Sequence, residues 1–286
     1  MHPALILLIN FLIIAALFGG LWAWSRTTKD PSFVDSFWAF GMVVLALSTF
    51  FLAGDGWLER KFILTALTLV WGLRLGLYLF NRWREEGEDK RYKALIGRLQ
   101  DRRGWSFERA SGLGVFLPQA VLLYITCLPI QLGQINSEPA GFGIIALLGF
   151  ALAVFGIAYE GIADWQLSRF KADPANKGKV MDQGLWAWSR HPNYFGEICT
   201  WWGIWLIAAE TSLGIWSFIG PAFLTFTLLR WSGVPLLEKG LKHSRPGYGD
   251  YAARTSAVFP WPPKARKGDG DLDDLDDDTT EYDSAV

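Results

Sequence analysis

The sequence predicts an all-α protein, a polytopic membrane helix bundle of about seven transmembrane helices, and three observations carry that reading. Apolar residues come in nearly uncharged blocks of roughly 20, the length that crosses about 30 Å of hydrocarbon, and the blocks lack the polar stripe of a soluble surface helix. Tryptophans at 22, 24, 38, 57, 83, 105, 165, 186, 188 and 231 stand near block ends, where an interfacial aromatic belt forms. Lys and Arg fall almost entirely in alternate connections.

The blocks place spans at about 4–24, 37–54, 62–81, 113–133, 141–163, 195–210 and 213–230. The first has no charged n-region and no small-residue cleavage site, so it is expected to stay as a helix. The second follows Asp35, and the third carries Arg74 well inside its apolar run. The fourth and sixth hold the two cysteines, Cys127 and Cys199, which give neither a disulfide framework nor metal spacing. The fifth runs into the acids Glu160 and Asp164. The sixth begins just after Pro192, a residue suited to a first helical turn. The last two spans lie close enough to form a hairpin turning at Glu210-Thr211-Ser212.

Of 27 Lys and Arg residues, 24 fall on one side of this topology, in 25–36, 82–112, 169–190 and from Arg230 onward. Only Arg60 and Lys61 lie on the other, with Arg74 inside a span. The positive-inside rule then puts the N-terminus outside and the C-terminus in the cytoplasm, as in a bacterial inner membrane with its site facing the cytoplasm. The formal net charge of −1 hides this asymmetry, because nine acids sit in the tail from Gly268. Residues 1–263 therefore read as the membrane domain, and 264–286 as an acidic tail too polar to bury a core.

There is no strand–GxGxxG, no Walker loop and no H-E-x-x-H. The short basic segment 82–112 is anchored to the membrane, so no nucleic-acid partner is expected; membrane lipids and a lipophilic small molecule are. Four constellations could carry chemistry. In Arg190-His191-Pro192-Asn193-Tyr194-Phe195-Gly196-Glu197, Asn193 and Glu197 share a helical face just inside a helix start, where free N–H groups and the dipole favour an anion. An ionisable group one turn into a span is functional by default; the lesser alternative is an interfacial anchor whose Arg190 and His191 meet lipid phosphates. Glu160, Asp164 and Ser168 share a face ending near Lys171, and Arg169, Lys171 or Arg190 could neutralise the acids, as structural pairs or as ligands of ribose and amide groups. Arg74, Tyr78 and Arg82 lie at i, i+4 and i+8, with Asp35 as a possible counter-ion. After the last span come Glu238, Tyr251 and Arg254, suited to stacking and phosphate contact or to anionic lipid.

The Arg190–Glu197 stretch resembles the steroid 5α-reductase-like superfamily of membrane sterol reductases and isoprenylcysteine carboxyl methyltransferases. The resemblance extends to Pro235-Leu236-Leu237-Glu238, to Tyr251 and Arg254, and to Gly72-Leu73-Arg74-Leu75 with Glu88-Asp89-Lys90-Arg91-Tyr92, covering most of 30–263. It implies NADPH as cofactor. By that likeness Arg190 and His191 face phosphates or ribose, Asp164, Asn193 and Glu197 hold the nicotinamide–ribose end, and Tyr251 and Arg254 close over the adenosine phosphates. Lys171, Tyr194 and Glu238 complete the expected cofactor-binding set. The Gln-Glu pair of the steroid enzymes is missing from spans two and three, and Trp71 stands near the expected Tyr.

The expectation is an NADPH-dependent reductase of a C=C bond conjugated to a carbonyl in a steroid-like or isoprenoid-like substrate, with Tyr78 and Arg74 as catalytic residues. An S-adenosylmethionine-dependent methyltransferase is the alternative, and a non-catalytic lipid-binding membrane protein the second.

Overall fold

The computed structural model describes residues 1–265, and among them it contains helices and no strand beyond an isolated bridge between Ser189 and Ser256. The tail from residue 266 onward lies outside the described residues. Five helices are long and apolar enough to cross a membrane: α1 (Pro3–Thr28), α2 (Val34–Leu52), α3 (Leu58–Glu86), α5 (Phe107–Gly133) and α6 (Ile144–Ala172). Between α3 and α5 lies a short amphipathic helix, α4 (Lys90–Arg103). The protein is a polytopic membrane helix bundle.

The sixth and seventh predicted spans are helical but less regular. The sixth is α7 (Pro192–Ala208), 17 residues long. The seventh is broken into a 3₁₀ turn (Gly214–Phe218), α8 (Ile219–Phe226) and a π turn (Thr227–Trp231). Gly220 and Pro221 stand at this break, and proline removes one ladder bond. α5 is interrupted for a related reason: a π turn at Gly112–Phe116 precedes Pro118, and the helix breaks at Cys127 just before Pro129. Two short helices, α9 (Val234–Ser244) and α10 (Tyr248–Arg254), follow the last pass.

The connections sort to two ends of the bundle. At one end the N-terminal amine pairs with Asp55 at 3.4 Å, Asn136 Nδ2 donates to Ser212 Oγ at 2.7 Å, and Glu210 accepts from the N–H groups of Gly143 (3.1 Å) and Ala146 (3.0 Å), capping the start of α6. Arg60 reaches the Asn136 carbonyl here at 3.3 Å. At the opposite end lie Lys29–Glu108 (2.9 Å), Lys171–Glu86 (3.4 Å) and Arg254–Asp182 (2.5 Å). This end carries almost all the cations and every predicted site residue.

The tightest packing is between α6 and α7, and small residues make it possible. A Cβ on Gly156 would come within 2.4 Å of the Thr200 nitrogen, one on Gly203 within 2.4 Å of the Ala153 nitrogen, and one on Gly196 within 2.6 Å of the Glu160 nitrogen. Gly149 meets the Gly203 carbonyl in the same way at 2.7 Å. Backbone-to-backbone approach of this kind is how helices gain dispersion energy where lipid removes any hydrophobic drive to associate. A neutral polar seam ties α1, α2 and α5 together elsewhere: Asn10 Nδ2 donates to Thr49 Oγ1 (2.8 Å) and to Gln131 Oε1 (3.0 Å), and Asn10 Oδ1 accepts from Ser48 Oγ at 2.7 Å.

Candidate functional site

The predicted residues of α3, α6 and α7 converge. Arg74 lies across Gly161, with its Cδ in ordinary van der Waals range of that position. Its guanidinium meets Glu160 at 2.5 Å and Asp164 at 2.8 Å. Trp71, one turn earlier on α3, donates Nε1–H to Glu160 at 2.8 Å. Asn193 Nδ2 approaches Asp164 Oδ1 at 3.4 Å, and Glu197 is buried within electrostatic reach of Glu160, Asp164 and Arg74. One guanidinium thus pairs with two carboxyl groups on α6, with Glu197 of α7 within electrostatic reach. Tyr78 continues the α3 stripe, near Ser168 and within electrostatic reach of Asp164 and Arg82.

This geometry corrects the expected pairing. Asp35 is not the counter-ion of Arg74; it accepts from Arg91 Nη2 at 3.3 Å and from the Tyr92 hydroxyl. Arg169, Lys171 and Arg190 do not neutralise Glu160 and Asp164 either, because Arg74 does. Lys171 sits on the surface beside Glu86 and lines a recess of about 250 Å³ with Lys177 and Arg245, apart from the Arg74 cluster.

Asp35, Arg91 and Tyr92 form a second polar cluster that pins α4 across the same end. Gln119 Nε2 donates to the Tyr92 hydroxyl at 3.1 Å, and Asp89 caps α4 through the Arg91 N–H at 2.8 Å. Burial, followed by the nearby Asp35 carboxylate, pushes the Tyr92 phenol well above its ordinary value, so it stays a donor. The Tyr194 hydroxyl lies within electrostatic reach of Arg91, Glu197, Asp35 and Arg82, linking the two clusters.

Arg190 and His191 form a third group with α9. Arg190 donates Nε–H to Glu238 at 2.7 Å and Nη1–H to the carbonyls of Ala252 (3.0 Å) and Thr255. His191 stacks on Tyr194 at 5.3 Å, with its Nε2 at 3.4 Å from Glu238. Burial opposes the Glu238 charge, but the nearby His191 and the Arg190 hydrogen bond outweigh it and hold the carboxyl down at about 2. Tyr251 donates to the Trp186 carbonyl at 2.6 Å and Arg254 pairs with Asp182, so both brace the 182–190 segment.

The family model described as "Protein of unknown function (DUF1295)" matches residues 21–255. The chain belongs to this family. It is also 25% identical over 284 residues to an uncharacterised protein of Schizosaccharomyces pombe, a match that covers 87% of this chain and 78% of that protein. No solved structure matches it. The matched range of DUF1295 takes in all three clusters.

Sequence reasoning missed one group. Trp38 is buried rather than interfacial, and with the buried Trp71 and Trp201 it forms a chain of edge-to-face rings: Trp38–Trp71 at 6.3 Å and 73°, Trp71–Trp201 at 5.3 Å and 89°. Trp201 stands one turn beyond Glu197 on the same face of α7, a spacing that could have been read from the Asn193, Glu197, Trp201 series. Trp186 is likewise buried, donating Nε1–H to the Ala163 carbonyl at 3.0 Å, whereas Trp24, Trp165, Trp188 and Trp231 are exposed, as a belt requires.

Proposed function

We propose that this DUF1295 protein is a membrane-embedded, NADPH-dependent reductase of the steroid 5α-reductase-like superfamily, acting from the cytoplasmic side on a C=C bond conjugated to a carbonyl in a lipophilic substrate. The observation that carries the reading is the buried cluster in which Arg74 pairs with Glu160 and Asp164, Asn193 approaches Asp164 and Glu197 lies within electrostatic reach. Buried ionisable groups at membrane depth are costly and are retained for ligands or chemistry.

The donor set fits one end of the cofactor. A nicotinamide carboxamide needs a donor and an acceptor, and the Asn193 amide offers both, with Glu197 one turn deeper. Asp164 suits a ribose hydroxyl. The phosphate end fits differently from the sequence-based expectation: Arg190 and Arg254 are engaged with Glu238 and Asp182, whereas Arg82 forms no ion pair among the described residues. Asn193, Glu197 and Asp164 would hold the nicotinamide–ribose end, and Arg82 the phosphates, of an NADPH whose chemistry would be hydride donation to the β-carbon. Tyr78, on the α3 stripe beside Asp164, is the hydroxyl available to donate toward the substrate oxygen, and Arg74 fixes the carboxyl groups around it. A preorganised donor of this kind is worth about 3–4 kcal/mol of barrier.

The test is ligand-induced stabilisation of the purified protein in detergent, since only a ligand that binds the folded state raises its unfolding temperature. NADPH should stabilise the wild type, and Asn193→Ala and Glu197→Gln should lose the effect. Stabilisation by S-adenosylmethionine alone would assign the methyltransferase chemistry instead.

A further inference from the structure

After α10 the chain turns back along the bundle as a non-helical strap. Its main chain is pinned: Arg190 N–H donates to the Ser256 carbonyl (2.8 Å), Trp261 N–H to the Trp188 carbonyl (3.0 Å) and Lys264 N–H to the Arg254 carbonyl (3.0 Å), while Ser189 Oγ donates to the Val258 carbonyl at 2.7 Å. Three large apolar side chains on and beside the strap are nevertheless open: Phe259 is 55% exposed, Trp261 72% and Trp188 48%. A run of ring contacts joins them to a spanning helix, from Phe259 to Phe195 (6.0 Å), Phe195 to Tyr159 (5.3 Å) and Tyr159 to Phe155 (5.4 Å). Phe155, Ile162 and Trp165 are exposed along one face of α6.

The helix also gives the depth of the strap. At 1.5 Å per residue, Tyr159 stands roughly 22 Å from Ile144 at the other end of α6, within about 30 Å of hydrocarbon, and Trp165 stands near its edge. Phe259, two ring contacts from Tyr159, therefore lies at the boundary of the bilayer and not out in solvent. The strap is built for such a place. Pro260, Pro262 and Pro263 carry no N–H and the Trp261 N–H is satisfied, so few donors are left for water to serve.

We infer that Phe259, Trp261 and Trp188 form an interfacial seat, by which the strap re-enters the membrane surface after the last helices. Its partner is the glycerol and upper acyl layer of the leaflet at the cation-rich end of the bundle. Indoles suit that layer, with an apolar body for the chains and an N–H for the headgroups. A contiguous exposed aromatic patch marks a partner surface, and its continuity with the lipid-facing side of α6 makes that partner lipid. The seat anchors the main chain of Ser189 and Arg190 and the end of α10 to the bilayer. It stands whatever reaction the protein performs.

The test uses the full chain in nanodiscs of phosphatidylcholine and phosphatidylglycerol. Nitroxide labels at Phe259→Cys and Trp261→Cys, in a Cys127→Ala/Cys199→Ala background, are compared with Val154→Cys on the lipid face of α6 and Lys177→Cys on the surface. The ratio of oxygen to water-soluble nickel-chelate accessibility should be roughly threefold or more above that of Lys177→Cys at both strap positions, and below that of Val154→Cys. A ratio equal to that of Lys177→Cys overturns the seat, and so does a label shielded from both reagents, which would mean that protein covers the patch. A second measurement keeps the native cysteines. On irradiation, Trp261→p-benzoylphenylalanine should join to phospholipid, seen by mass spectrometry as a peptide–lipid adduct. Crosslinks to protein alone, or no lipid adduct, overturn the proposal.

Discussion

Replacing Arg74 with Met strips the buried carboxyl groups of their cation while keeping most of the apolar stem. Glu160 and Asp164 are each about 95% buried or more, and both pair with Arg74 within 2.8 Å. Breaking a buried pair by removing one partner costs about 3–5 kcal/mol, because uncompensated charge is left behind. At roughly 2–4 °C per kcal/mol for a chain of this order, Arg74→Met should lower the unfolding temperature by about 6–20 °C. The companion variant Arg74→Met/Glu160→Gln/Asp164→Asn removes the charges together and should recover most of the loss, since neutral amides carry no unpaired charge. Scanning fluorimetry or circular dichroism in one detergent reads both. If Arg74→Met unfolds within 1 °C of the wild type, or if the triple variant is less stable than the single one, the cluster is not the electrostatic keystone described above.

The Glu238 carboxyl sits below its ordinary value in the folded protein, so its contribution is complete above about pH 4.5 and disappears as pH falls toward about 2. Glu238→Gln should flatten that acid limb of the stability profile, and an unchanged limb would dissociate Glu238 from Arg190 and His191. Gly156→Leu and Gly203→Leu each place a side chain within 2.4 Å of backbone nitrogen, an overlap that only helix separation relieves, and should cost about 3 kcal/mol or more, seen as lost monodispersity on size-exclusion chromatography. Asp35→Ala should free α4 and expose Arg91 and Arg98 to limited trypsin, with cleavage mapped by mass spectrometry; an unchanged digest would mean that other contacts hold α4.

Much of the fold was legible because membrane length and charge asymmetry are written into consecutive residues. Spans one to five and the sorting of connections to two ends follow from apolar runs and Lys/Arg placement, which depend on no tertiary detail. The seventh span was less legible, since Gly220 and Pro221 break its helix without interrupting its hydropathy. Within the site, spacing along one helix predicted the shared faces of Arg74 and Tyr78, of Glu160 and Asp164, and of Asn193 and Glu197. It could not say which face meets which. Asp35 and Arg74 therefore looked like partners although Asp35 faces α4, and the Trp38 indole passed for an interfacial anchor because a tryptophan near a span end carries no mark of whether it turns inward. The pairing of Lys171 was equally hidden, because Glu86 lies beyond the apolar end of α3, and only the full length of that helix brings it near.

The glycine contact between α6 and α7 has a mechanical corollary. Two helices whose main chains touch cannot slide or tilt independently, so Asp164, Asn193 and Glu197 ride on what amounts to a single stiff plank. Any widening needed to admit a bulky guest must then come from the opposite bank, where α3 meets that plank through side chains, the Trp71–Trp201 ring pair among them, rather than through main chain.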